Sequence, residues 1–250
     1  MFIHCELVVL ILALTLNGQV YGGHEAKAHS RPYMVLLERH MQNGQTYYCG
    51  GFLLNEDFVM TAAHCQAKSY TALLGLHDAN KLNGIQRISV EGAFPHKDYS
   101  ASDLENNIML LKLSSKAHFS NTVRPIALAD RDDGSLPKLC SVSGWGRNDR
   151  NSKYMSLTLM EVSVTLTDNE LCRGKKIYCS EGEAGLGVGD SGGPLVCEDG
   201  KAYGVVSYTF NPAGGPSIYA YTKIPEDEQY KHDNVIKNIN QGAIYTGLYT

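Results

Sequence analysis

Gly189-Asp190-Ser191-Gly192-Gly193-Pro194-Leu195 decides the reading of this chain. It sets one serine among glycines in the pattern G-x-S-x-G. Glycines let the backbone turn sharply and leave the hydroxyl uncovered, which suits a nucleophile. Upstream, Thr61-Ala62-Ala63-His64-Cys65 offers a histidine beside a cysteine, and Ser143-Gly144-Trp145-Gly146 lies between the two segments. Downstream, Pro194–Cys197 and Ala202–Ser207 read as strands joined by the turn pair Asp199-Gly200. A strand-to-helix elbow, with acid and histidine following the serine, does not fit: only His232 follows, and the text alternates like strands. What remains is the order histidine, acid, serine.

The rest of the chain bounds the fold. It has 250 residues, 43% hydrophobic and 19% charged, enough for one large core or two small ones. The net charge is −4 with no basic block, so neither nucleic acid nor an anionic membrane is expected as a partner. No repeat or low-complexity tract occurs, which excludes collagen, coiled coil and solenoid. Leu7 to Leu16 is an uncharged apolar run of about ten residues, half of what crosses a bilayer, and reads as the core of an export signal over residues 1–17. Of the 7 cysteines, Cys5 leaves with that signal, and the even remainder suggests disulfides in an oxidising compartment. With no C-x-x-C pair and scattered histidines, no metal site and no cofactor are expected.

Beyond residue 20 short apolar or alternating runs are separated by turn residues at all-β spacing. Candidate strands are Tyr33–Leu37, Phe58–Ala62, Thr71–Leu74, Arg87–Phe94, Ile108–Leu113, Leu157–Leu166 and Ile218–Lys223. Asn43-Gly44 carries the chemistry of a second hairpin turn. Only the end reads helical: Pro225, Glu226, Asp227 and Glu228 open a helix predicted over about 226–240, and Gly242 stops it. A less patterned stretch, 121–138, would link two β halves.

Taken together, the segments around Ser191, His64 and Trp145 resemble the chymotrypsin-like serine proteases, from Val20 to about Lys223. Gly22-Gly23-His24-Glu25-Ala26, Ser30-Arg31-Pro32-Tyr33-Met34 and a glycine rather than a cysteine at 187 are similar to the granzyme and mast-cell protease group. The resemblance implies an all-β fold, two six-stranded Greek-key barrels packed face to face with a C-terminal helix. Barrel 1 would span about 33–120 and barrel 2 about 138–223, inside a protease domain of 20–242. It implies disulfides Cys49–Cys65, Cys140–Cys197 and Cys172–Cys179, where spacing alone leaves every pairing open. It implies Ser191 as nucleophile, His64 as base, and the N–H groups of Gly189 and Ser191 as oxyanion hole. Asp190, buried, would pair with the α-ammonium of Val20 once the dipeptide Gly18-Gln19 is removed. Gln19 does not suit a trypsin-like activator, so the implied activator is a dipeptidyl peptidase.

Several positions depart from that family. The acid position is Asn107, in Asn106-Asn107-Ile108-Met109-Leu110-Leu111. An asparagine can present its NH2 to the histidine and select the wrong tautomer. Glu105 sits two residues away, about 6.6 Å along a strand, and would need a rearranged loop to replace it. For the specificity pocket the resemblance points to Gly185, Ser207, Tyr208, Thr209 and Ser217. Gly185 offers no carboxylate for a basic side chain, and Thr209 stands where a glycine usually keeps the pocket mouth open. The expectation is a monomeric, secreted or granule-stored serine endopeptidase with non-tryptic specificity and slowed turnover. Its partners would be protein or peptide substrates, serpin-type inhibitors and the activating peptidase. The alternative is an inactive homologue that binds through the retained groove.

Overall fold

In a computed structural model, residues 22–129, 137–147, 154–183, 185, 187 and 189–225 are described. The expected signal segment, Val20 and the expected C-terminal helix lie outside them. The strands are β1 (His24–Glu25), β2 (Met34–His40), β3 (Thr46–Leu53), β4 (Phe58–Thr61), β5 (Ser69–Leu74), β6 (Gln86–Pro95) and β7 (Met109–Leu113). They continue with β8 (Leu139–Gly144), β9 (Met160–Thr165), β10 (Ile177–Gly182), β11 (Pro194–Cys197), β12 (Ala202–Phe210) and β13 (Ser217–Lys223). All paired strands are antiparallel, and they form a closed barrel in the order β2-β3-β4-β7-β6-β5 and a second sheet in the order β1-β9-β8-β11-β12-β13-β10. A bridge from Leu166 to Ser180, with Thr167 N–H donating to Cys179 O at 2.8 Å, curls the second sheet until β9 meets β10. The expected double-barrel fold is therefore present, with one difference from six strands each: the short β1 adds a seventh strand to the second sheet.

The sequence pattern explains which faces are buried. β7 is a continuous apolar run, Met-Leu-Leu-Lys-Leu, and only Lys112 is not fully buried, as suits a strand enclosed on both faces. β6 lies at the outside: Ile88 points inward and its neighbours are exposed, with a bulge between Val90 and Gly92 that bends it around the barrel. Leu37, Phe52, Met60, Leu110 and Leu111 fill the first core; Val142, Val164, Leu195, Val206 and Tyr221 fill the second. A third cluster, with Met34, Leu36, Leu73, Trp145 and Leu159, joins the two halves. The connecting stretch is held strand by strand, through Arg124 N–H to Pro32 O, Ile126 N–H to Leu53 O and Ala129 N–H to Ala202 O. The three expected disulfides, Cys49–Cys65, Cys140–Cys197 and Cys172–Cys179, are all formed.

The strands that the sequence pattern leaves out are β1, β3, β8 and β10, each next to a glycine or a cysteine-closed loop. Gly44 does adopt a left-handed turn (φ +81°) between β2 and β3, and Gly200 (φ +76°) does so between β11 and β12, as the turn pairs predict.

Candidate active site

His64 sits on a single 3-10 turn, Ala63–Cys65, just after β4. The Cys49–Cys65 disulfide ties this turn to β3, and Arg39 on β2 donates from Nη2 to the carbonyls of His64 (3.4 Å) and Gln66 (3.1 Å). Ser191 leads into β11 and is anchored across the barrels: Gly50 N–H donates to Ser191 O at 2.8 Å, and Thr61 Oγ1 donates to Gly50 O at 2.8 Å. Gly192 lies at φ +90°, and a Cβ there would run into Gly50 O and Thr61 Oγ1. The second glycine of G-x-S-x-G is thus demanded both by its backbone angle and by the close approach of the other barrel.

Asn107, two residues before β7, is fully buried and contacts His64 twice. The backbone N–H of His64 donates to Asn107 Oδ1 at 2.9 Å. A backbone N–H can only donate, so the atom facing it must be the amide oxygen. This fixes the other end: Asn107 Nδ2 lies 2.8 Å from His64 Nδ1 and 2.7 Å from Ser207 Oγ. Both hydrogens of the NH2 are thereby placed, one on Ser207 and one on Nδ1, which must accept. The neutral ring then carries its own proton on Nε2, the nitrogen that a serine would need as base. Burial holds His64 below the ordinary histidine value. Hydrogen bonding to Asn107 would oppose that shift only with the amide oxygen on Nδ1; the Arg39 guanidinium adds to it. Exposed Glu105 makes no hydrogen bond or ion pair with His64 among the described residues; its backbone O accepts from Ser100 N–H.

Asp190, beside Ser191, is 1% exposed. Its Oδ1 accepts from Gly146 N–H at 2.7 Å and its Oδ2 from Gly187 N–H at 2.8 Å. Burial pushes its carboxyl up to about 6 in spite of those two hydrogen bonds. A Cβ on Gly146 would lie 2.6 Å from Asp190 Cγ, so the glycines of Ser143-Gly144-Trp145-Gly146 leave room for this carboxylate. Gly189 has φ +110°, and a Cβ there would touch Met155 Cε at 3.2 Å. Val20, the expected partner of Asp190, lies outside the described residues.

The expected pocket residues make different contacts. Ser207, buried, serves Asn107 as described above. Tyr208 is half-buried against the cluster around Cys172 and Cys179. Ser217 Oγ donates to Asn211 Oδ1 at 2.7 Å. Gly185 meets a residue that sequence reasoning passed over, Tyr219. A Cβ on Gly185 would lie 2.7 Å from Tyr219 Cδ2 and overlap Cε2 and Cζ. Exposed Thr209 stands directly opposite Tyr219 in the β12–β13 ladder. Alternation along Ile218-Tyr219-Ala220 predicts that Tyr219 faces away from its neighbours, but not what it meets.

Comparison with known proteins agrees with this geometry. The Trypsin family model matches residues 20–227. Granzyme E of Mus musculus is 40% identical over 233 residues, covering 87% of this chain and 93% of its own. Duodenase-1 of Bos taurus is 39% identical over 253 residues, covering 95% of this chain and 98% of its own. The solved structure of GrC superposes with a TM-score of 0.73 at 34% identity, covering 88% of this chain and 99% of that one. A histidine on a disulfide-tied turn, a serine in a glycine cradle and two barrels around them place this chain in the trypsin family of serine endopeptidases.

Proposed function

We propose that this chain is a secreted or granule-stored serine endopeptidase that cleaves after non-basic residues, with turnover slowed by Asn107. Ser191 Oγ would attack the scissile carbonyl, His64 would take its proton, and the N–H groups of Gly189 and Ser191 would receive the negative oxygen of the intermediate. Among the described residues neither N–H donates to a protein acceptor, so both are free for that task. The buried Asp190 would pair with the α-ammonium of Val20 after a dipeptidyl peptidase removes Gly18-Gln19. Serpin-type inhibitors would meet the same groove.

The observation that carries the slowed turnover is the Asn107 amide, whose oxygen is held by His64 N–H and whose NH2 faces Nδ1. A ring with its proton on Nε2 must change tautomer before it can act as base. Once charged, it finds no anion at Nδ1. The pocket side of the reading rests on Gly185, which brings no carboxylate to a Lys or Arg side chain. The test is labelling of Ser191 by a serine-directed phosphonate in protein beginning at Val20. Labelling at least about a hundredfold faster in Asn107→Asp supports the proposal; equal rates in the two proteins refute it.

A second reading, an inactive homologue that binds peptides through its groove, draws on a different feature of the same amide. All of its hydrogen-bonding groups are satisfied, through His64 N–H, His64 Nδ1 and Ser207 Oγ. The site is therefore stable with asparagine in place. Parent protein that binds substrate-like peptides but never acylates Ser191 would favour this reading.

A further inference from the structure

We infer that Arg39 is a positioning residue for His64: it pins the turn behind the imidazole and stands as a fixed cation against the charged ring. The inference rests on the proposed function for one point, that His64 is the base. Arg39 lies near the end of β2, directly opposite Tyr47 on β3 and Tyr70 on β5. Its Nη2 donates to His64 O at 3.4 Å and to Gln66 O at 3.1 Å, and its Nη1 lies 3.6 Å from Cys49 Sγ. Tyr70 Oη accepts from Ala67 N–H at 2.8 Å, and His40 O accepts from Lys68 N–H at 3.1 Å. The segment that leaves the catalytic turn is therefore laid across the ends of β2 and β5, held at His64, Gln66, Ala67 and Lys68.

The charge of Arg39 is what a purely structural role does not explain. Among the described residues no carboxylate pairs with it. Glu38 and His40, its neighbours on β2, point to the other face of the strand and are engaged there by Arg87 and by Thr46 and Thr71. Arg39 Nε is buried without a hydrogen-bond partner. An arginine keeps its charge in such a place, although burial lowers it from its ordinary value. A half-buried cation without a counter-ion is unfavourable, and an apolar side chain would close this end of the barrel at less cost. The other groups around His64 bring no charge to it. The Cys49–Cys65 disulfide does not titrate, burial raises Tyr70 and keeps it neutral, and Asn107 and Ser207 are uncharged. Lys68, at the far end of the segment, is exposed, and Glu105 makes no ion pair with the ring among the described residues. Burial first, and the Arg39 guanidinium with it, hold His64 below the ordinary histidine value. Asn107 thus withholds an anion from the imidazolium that the reaction forms, and Arg39 adds a cation to the turn that carries it.

The test follows the His64 ring by NMR in protein beginning at Val20, its signal identified by its loss in His64→Gln, and needs no turnover. Arg39→Gln removes the charge and keeps a donor; Arg39→Lys keeps the charge and gives up the fork. The midpoint of the His64 titration is expected to rise by about half a pH unit or more in Arg39→Gln. In Arg39→Lys it is expected to stay within about 0.2 of the parent. Should Arg39→Gln not fold, Arg39→Met, whose stem packs as the arginine stem does, takes its place with the same expected rise. An unmoved midpoint in the neutral variant overturns the inference. So does an equal rise in Arg39→Lys, which would trace the shift to a loosened turn rather than to the charge. The proposed function is judged separately by the phosphonate. Faster labelling of Asn107→Asp with an unmoved midpoint sinks the Arg39 inference alone. Equal labelling with a raised midpoint sinks only the slowed-turnover reading.

Discussion

Replacing Asn107 with aspartate should convert an amide donor into an anionic acceptor without moving the backbone. One carboxylate oxygen would keep the hydrogen bond from His64 N–H, which now measures 2.9 Å. The other would face His64 Nδ1, where Asn107 Nδ2 now lies at 2.8 Å. Ser207 Oγ, at 2.7 Å, would turn its hydrogen and donate instead of accepting, which a hydroxyl does freely. The neutral ring would then carry its proton on Nδ1 and leave Nε2 open. The charged ring would gain a partner whose charge centre is about 4 Å away, worth about 4 kcal/mol at an effective dielectric constant of about 20. That is roughly three powers of ten in rate, before the tautomer is counted. In this fold loss of the carboxylate lowers kcat by about 10⁴, which brackets the estimate from above. The assay is kcat/KM on a pooled peptide library for protein beginning at Val20, parent beside variant. A gain of about three to four powers of ten is expected. The acid limb of the pH profile should also lie at higher pH in the variant, because the new anion raises a His64 that burial now depresses. A gain below about tenfold, with an unchanged profile, would refute the assignment of the Asn107 amide.

Other expectations follow from single features. In protein that still carries Gly18-Gln19, Asp190 with its carboxyl at about 6 binds more protons folded than unfolded between the ordinary value and 6, so stability should fall as pH rises through that window. Protein beginning at Val20, with an ammonium to pair, should lose that dependence; melting temperatures from pH 4 to 7 read both. Gly192→Ala should be destabilised by about 3 kcal/mol or more, through its left-handed backbone and the collision with Gly50 O, and urea unfolding measures it. Removing Cys140–Cys197, which spans 57 residues, should cost about 4 kcal/mol on loop entropy, against about 2 for Cys172–Cys179, which spans 7. Denaturation of the two double-serine variants compares them, and a reversed order would refute the entropic account.

The parts of this molecule that a reader can find in the sequence are those where chemistry is written locally. Gly192 and Gly146 announce close approaches because no other residue fits beside Gly50 O or the Asp190 carboxylate. β7 shows as an unbroken apolar run, and β6 as an alternation around Ile88. β3 is harder to see, since its exposed half, Thr46-Tyr47-Tyr48, and the Gly50-Gly51 pair both dilute the pattern. Those glycines are there for the other barrel: a Cβ on Gly50 would lie 3.0 Å from Gly193 N. A strand whose composition answers to a neighbour far away in sequence cannot be read from its own period.

The site divides along the same line. Asn107 is identifiable by its place before β7, and its amide was expected to turn its NH2 toward the histidine. What decides the orientation, however, is His64 N–H, a backbone donor on another loop, and Ser207, which the sequence assigns to the pocket wall. Tyr219 is the same case beside Gly185. Its face of β13 follows from alternation, yet its meeting with Gly185 depends on how β13 pairs with β12 and on the path of a loop between two other strands. Asn107 touches His64 and Ser207, whereas Tyr219 lies against Gly185, so among the described residues the two positions share no partner. Substitutions at them should therefore act without coupling: in the double variant Asn107→Asp, Tyr219→Phe the change in kcat/KM should equal the product of the two single changes, and a departure from that product would show that the two neighbourhoods communicate through β12.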